Sequence, residues 1–371
     1  MVFSQSDAPR GILAGLWLLL GLGLGATGTA AAQAPLDSLG GITGRLGRYE
    51  QRSPHEKLFL HLDRPVYLSG ETMWFKVYAA DGTYARPLTL SSVAYVEVLN
   101  AEQRPVLQGK VSLRQATGQG SFVLPASLPA GTYTVRAYTS WMKNFSPDAY
   151  FHSSVTVINT STASGVSSHD SAAYEARFFP EGGNLVRGLR SRVGFKVTDK
   201  AGRGVAAQGQ VLNQSGTVVA TFSTLRLGMG SFAFTPAAGA DTYTAVVTLA
   251  KNQTLTRPLP RAFEQGYVLR LDHTGPDQLT VTVNTAATGP ETVYLLGHSR
   301  QKVAVATSLQ LLNGQGSVVV SKARLLPGVS HFTLFTANQQ PVCERLYFQP
   351  PTQQLAITAR ATSPSTAPAT R

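Results

Sequence analysis

Lys57-Leu58-Phe59-Leu60-His61-Leu62-Asp63-Arg64-Pro65-Val66-Tyr67-Leu68-Ser69-Gly70-Glu71-Thr72-Met73-Trp74-Phe75-Lys76-Val77-Tyr78 is the stretch from which the fold is read. Leu58, Leu60 and Leu62 fall on one face of an extended segment, with Phe59, His61 and Asp63 on the other. Arg64-Pro65 interrupts that ladder, because proline donates no N–H and belongs at a strand end, an edge or a bend. Ser69-Gly70-Glu71 supplies a turn, after which Met73, Phe75 and Val77 alternate with Trp74, Lys76 and Tyr78. Two strands joined around such an elbow open a sheet module; they do not make an active site.

The alternation continues outward. Val93–Leu99, Val106–Leu113, Ser121–Leu124, Thr132–Tyr138 and Ser154–Ile158 read as strands separated by turn signals, the rhythm of a β-sandwich. Thirty-five glycines, 21 prolines and a charged fraction of 14% suit an all-β chain of several domains. No long segment beyond the N-terminus keeps a helical period. An internal repeat supports the same division: Gly118-Gln119-Gly120-Ser121-Phe122 recurs as Gly228-Met229-Gly230-Ser231-Phe232 and, more weakly, as Gly314-Gln315-Gly316-Ser317-Val318. Gly131-Thr132-Tyr133-Thr134 and Asp241-Thr242-Tyr243-Thr244 follow the first two copies at equal spacing. This alignment makes Gly118, Gly228 and Gly314 equivalent, each a turn feeding a strand.

The pattern Asp63-Arg64-Pro65-x-Tyr67-x-x-Gly70-Glu71-x-x-Trp74-Phe75 resembles the opening of a macroglobulin domain of the alpha-2-macroglobulin family, closest to the second domain of that array. Tyr138-Thr139-Ser140-Trp141-Met142 also looks like its counterpart in bacterial envelope relatives, some of which carry a TonB-dependent-receptor plug domain. The resemblance implies an all-β chain of tandem immunoglobulin-like or macroglobulin-like antiparallel β-sandwiches, and a structural role for the eight named motif residues. The thioester of protease-trapping relatives requires a Gly-Cys-Gly-Glu-Gln setting, whereas Cys343 is followed by Glu344-Arg345-Leu346.

Arg10, the apolar run Ile12 to Leu24 and Ala30-Ala31-Ala32 make residues 1–32 read as a secretory signal peptide. Its apolar core is shorter than the roughly 20 residues that span a bilayer, and no transmembrane segment is expected after signal removal. Residues 33–55 read as an N-terminal lead broken by Gly40-Gly41 and Ser53-Pro54, 56–159 as a macroglobulin-like β-sandwich, and 160–173 as a polar linker. A second β-sandwich is expected over 174–260 and a third over 261–350. Residues 351–371 read as a disordered tail or the truncated start of a further domain, with Leu355–Ala359 as its strand. The lone Cys343 excludes an intrachain disulfide. Together these features point to an exported protein of a bacterial periplasm, outer membrane or cell surface.

The chemistry of catalysis is sparse. The seven histidines are scattered without metal-ligand spacing, and no nucleophile elbow or phosphate loop is present, so no catalytic residue, metal or cofactor is expected. Cys343 lies in a strand pattern and reads as a small core hydrophobe. His61 and Asp63 share a strand face, where a polar strand face or a hydrogen bond across the elbow is the simpler reading than a ligand pair. Trp74, Trp141, Tyr138 and Phe145 read as core rings, with an aromatic platform for sugar or peptide as the alternative. The formal charge is +12, with basic residues densest at Arg187, Arg190, Arg192, Lys196, Lys200 and Arg203. That run reads as a charged strand edge that deters aggregation; the functional alternative is contact of Arg187, Arg190, Arg192 and Lys196 with an anionic glycan. Nucleic acid is not expected, since no recognition motif accompanies the charge.

The expected function is non-enzymatic: a structural or interaction module whose partner is an envelope protein or peptide, with a TonB-dependent receptor as one form of that partner. Endopeptidase inhibition of the alpha-2-macroglobulin type and binding of an anionic polysaccharide are the two alternatives.

Overall fold

The computed structural model describes residues 38–161, 174–200, 202–239, 242–353 and 355–358. The expected signal peptide, most of the linker and residues 359–371 lie outside the described residues.

The described residues open with α1 (Ser38–Arg52), where only a lead was expected. Gly40, Gly41, Gly44 and Gly47 each cost roughly 1 kcal/mol of helix propensity relative to alanine, which is why the sequence pattern suggests breakers. Tertiary contacts hold the helix instead. Ile42 is buried, Arg45 Nη2 donates to Gln339 Oε1 at 2.5 Å, and Glu50 pairs with Lys302.

The first sandwich contains β1 (Glu56–Leu62), β2 (Val66–Leu68), β3 (Thr72–Asp81), β4 (Val93–Leu99), β5 (Pro105–Ser112), β6 (Thr117–Val123), β7 (Gly131–Thr139) and β8 (Phe151–Ile158). One sheet has the order β1-β3-β6 and the other β2-β8-β7-β4-β5. The alternation of β1 and β3 sends Leu58, Leu60, Met73, Phe75 and Val77 into the core. The elbow is not a plain connection: β2 crosses to the second sheet and pairs parallel with β8.

The second sandwich uses β9 (Glu175–Pro180), β10 (Leu185–Val186), β11 (Ser191–Thr198), β12 (Gln208–Leu212), β13 (Val218–Ser223), β14 (Met229–Phe234), β15 (Thr244–Thr248) and β16 (Thr254–Pro258). Its sheets are β14-β11-β9 and β13-β12-β15-β16. Phe178, Phe195, Phe222, Phe232 and Phe234 fill its core, each ring contributing about 1.5–3 kcal/mol by burial. After β17 (Ala262–Phe263), the third sandwich runs through β18 (Tyr267–His273), β19 (Gln278–Thr285), β20 (Glu291–Ser299), β21 (Lys302–Leu311), β22 (Gln315–Ser321), β23 (Gly328–Thr336) and β24 (Pro341–Gln349). Its sheets are β18-β19-β22 and β21-β20-β23-β24. Leaving aside the short β2 and β10, all three sandwiches place their first, second and fifth strands in one sheet, and the other four in its partner.

That common topology corrects the repeat alignment. Three two-residue hairpin turns are equivalent, at Gln115-Ala116, Leu227-Gly228 and Asn313-Gly314, every one of these residues having positive φ. Arg114, Arg226 and Leu312 face Thr117, Met229 and Gln315 across them. Gly118 is therefore equivalent to Gly230 and Gly316. A Cβ there would lie within 3.0 Å of a neighbouring backbone oxygen in each sandwich: Ser112, Ser223 or Gln310. The first copy is shifted by two residues because Gln115-Ala116 makes its turn without glycine.

The strand expected at Leu355–Ala359 is not formed over its described part. Residues 355–358 pair with no sheet, and Leu355 and Ile357 are 87% and 82% exposed. An apolar alternation alone does not make a strand without an edge to receive it.

Candidate functional site

The motif residues converge on the elbow between β1 and β3. Asp63 Oδ1 accepts hydrogen bonds from the Tyr67 hydroxyl at 2.6 Å and the Trp74 amide at 3.0 Å, while Oδ2 accepts from Arg64 Nε at 3.2 Å. The Tyr67 oxygen in turn accepts from the Arg64 amide at 3.2 Å. Arg64 Nη1 reaches Glu71 Oε1 at 3.3 Å, and the other Glu71 oxygen accepts from the Leu68 amide at 2.8 Å. Pro65 and Gly70 tie the turn to the sandwich: the Pro65 carbonyl accepts from Thr156, and the Gly70 amide donates to Leu124. Phe75 is core, and the Tyr67 ring is buried. Burial pushes the Asp63 carboxyl up, but the hydrogen bonds from Tyr67, Trp74 and Arg64 outweigh it and hold the group below its ordinary range. Burial and the facing Asp63 push the Tyr67 hydroxyl up to about 12. Asp63, Arg64, Tyr67 and Glu71 thus saturate one another and fasten the elbow. His61 takes no part.

Trp74 departs from the core reading. It lies on the outward register of β3 and is 60% exposed, beside a shallow groove of about 460 Å³ lined by His61, Asp63, Lys76, Gln119 and Ser121. The other three aromatic candidates sit elsewhere. Trp141 is half-buried, donates Nε1 to the Pro54 carbonyl at 2.8 Å and packs on Phe145. Tyr138 stacks between Tyr95 and Tyr150 and donates to Glu97. They form no single platform with Trp74.

The basic run is divided as well. Arg187 pairs with Glu264 at 2.6 Å. Lys196 lies toward the far end of β11, beside Arg177 and Glu175. Only Arg190 and Arg192 turn toward the third sandwich. There they meet Arg270 and Asp272 across a cleft of about 260 Å³, with Arg345 and Glu181 beside it. Arg345 Nη2 lies 2.7 Å from Glu181 Oε2, and Arg270 Nε 2.6 Å from Asp272 Oδ2.

Cys343 points into the third core, and burial pushes its thiol up to about 12. A neutral thiol in that setting is not a nucleophile at neutral pH. Among the described residues no group of three or more His, Cys, Asp or Glu is placed to hold a metal ion, and no helix is long and apolar enough to cross a membrane.

The family model for the MG2 domain matches residues 57–157, the whole first sandwich from β1 to the end of β8. This sandwich is an MG2 domain. MG2 is a non-catalytic domain of macroglobulin-like proteins, and the saturated elbow is its opening. No curated protein matches the chain. Similar solved structures include native Escherichia coli alpha-2-macroglobulin, 10% identical over 79% of this chain and 22% of that one, with a TM-score of 0.24. Dimeric latent PorU from Porphyromonas gingivalis is 12% identical over 80% of this chain and 33% of that one, with a TM-score of 0.33. A tetra-tandem repeat from the extending region of a large adhesion protein is 12% identical over 79% of this chain and 74% of that one, with a TM-score of 0.20. The chain spans a third or less of the length of the first two.

Nothing local in the sequence joins Arg270 and Arg345 to Arg190 and Arg192; only the cleft they line together does. The exposure of Trp74, by contrast, was present in the alternation of the MG2 opening, where it shares a face with Lys76.

Proposed function

We propose that this chain is a macroglobulin-type interaction module exported to a bacterial cell envelope, working by presenting surfaces to a protein or peptide partner and carrying out no bond-making chemistry. The observation that carries this reading is the fate of its most characteristic residues. The polar groups of the MG2 opening are satisfied by one another, and the only thiol is buried, so exposed faces such as the Trp74 groove are what the MG2 domain offers to others. An exposed tryptophan ringed by His61, Lys76 and Gln119 suits an amphipathic contact. The N-terminal apolar run supports export, and a TonB-dependent receptor is the finer form of the partner.

A photo-crosslinking residue at Trp74 in the full chain, expressed in a bacterium with an outer membrane, tests the reading. The chain should fractionate with the envelope, and the crosslink should join a defined envelope protein. Retention in the cytosolic fraction would overturn the envelope assignment. Stoichiometric protection of a large substrate from several endopeptidases would replace the reading with protease inhibition.

A further inference from the structure

The second and third sandwiches meet through close backbone contact. Leu269 donates its amide to the Gly182 carbonyl at 2.7 Å, and a Cβ on Gly182 would fall 1.7 Å from the Leu269 carbonyl oxygen. Gly182 also holds φ +74°, so only glycine fits both the turn and the approach. β10, paired in parallel with β17 within the second sandwich, also lies against β18. The cleft lined by Arg190 and Arg192 opens beside this contact.

Its charge is unbalanced. Glu181 is engaged by Arg345 and Asp272 by Arg270. Arg190 and Arg192, both exposed, have no carboxylate partner among the described residues. Four guanidinium groups thus face two carboxylates. Arg190 immediately precedes β11 and Arg192 is its second residue, and both line the same cleft, so their planar forks can approach a single tetrahedral anion from two sides. Bidentate pairing of arginine with phosphate oxygens is among the stronger charge-assisted contacts. A phosphate monoester carries about −1.5 to −2 charges near pH 7, matching the two unpaired cations. Such a cleft, at about 260 Å³, has room for a charged group and part of its carrier, but not for a folded partner.

We propose that the cleft between the second and third sandwiches binds a phosphate monoester, borne on a sugar of an envelope glycan. The sugar carrier rests on the envelope reading above; the phosphate site itself does not. Isothermal titration of the purified full chain should show saturable binding of glucose 1-phosphate and none of glucose. Arg190→Ala combined with Arg192→Ala should weaken that binding by at least about tenfold, while Lys196→Ala leaves it unchanged. Both arginines are exposed, Arg192 on β11 and Arg190 just before it, and an unaltered melting curve confirms that the double variant folds. Tighter binding of glucose 1-phosphate than of inorganic phosphate assigns the site to a glycan-borne group. Equal binding keeps the phosphate site and overturns the glycan carrier. Absence of saturable binding for both phosphates, or equal affinity in the double variant, overturns the proposal without touching the crosslinking result at Trp74.

Discussion

Tyr67 shows how much of the MG2 opening is spent on holding itself together. Its ring is 1% exposed, and its hydroxyl both donates to Asp63 and accepts from Arg64. Replacement by phenylalanine keeps the ring, removes one of the three hydrogen bonds to Asp63 and leaves the Arg64 amide without its acceptor. Tyr67→Phe should therefore cost about 1–3 kcal/mol in urea denaturation, while Trp74→Ser, outward and 60% exposed, should stay within about 0.5 kcal/mol. Equal costs would place the motif's value in Trp74 instead. The same sandwich predicts an acid limb. At Glu97 burial raises the carboxyl, but Arg136, Tyr138 and Gln108 outweigh it, and like Asp63 the group titrates below its ordinary value. A depressed folded value contributes stability above the unfolded values of 3.8 and 4.5, and that contribution is lost as pH falls through the lower folded ones. Melting temperature should be flat from pH 7 to about 5 and drop below about 4. Glu97→Gln should flatten part of that drop; an unchanged acid limb would show that the Glu97 network is not its source.

Among elements, the strands were legible because their side chains alternate against two-layer cores: β4 begins and ends where the pattern of Val93 to Leu99 does. Three features were not. α1 was hidden by glycines that cost helix propensity, and Arg45 and Glu50 stabilise it through contacts with Gln339 and Lys302 far along the chain. β2 is three residues long and exists only because β8 offers it an edge. The repeat shows in the sequence but its register does not, since Gly118 resembles Gly228 in sequence and matches Gly230 in space. Gly182 meets β18 at Leu269, a contact that nothing local to it announces. Gly182→Ala should be severe for that reason. It combines a positive φ with a backbone collision, so it should destabilise by more than about 1 kcal/mol. Hydrogen exchange should speed at Leu269, whose amide loses its acceptor. Gly216→Ala, strained at φ +77° but with open space around it, isolates the conformational part, and exchange at Leu269 should not respond to it.

At the scale of the whole molecule, the MG2 domain does not follow its neighbours only in sequence. Tyr84, in the loop after β3, lies under the Lys302 ammonium at 4.9 Å, and the same ammonium pairs with Glu50 of α1. One side chain at the start of β21 thus gathers the MG2 domain, the helix and the third sandwich. None of its contacts is deeply buried, so the energy is small: about 0–1 kcal/mol for a partly exposed ion pair and about 0.5–1 kcal/mol for the cation over the ring. The effect should appear in local opening and not in global unfolding. Lys302→Ala should leave the melting curve nearly unchanged while amide protection falls in α1 and in residues 82–87 together. Two unrelated segments responding to one substitution is the signature of a shared anchor. Loss of protection in α1 alone would mean that Tyr84 rests on Lys302 without depending on it, and that the MG2 domain is held to the third sandwich by something other than this junction.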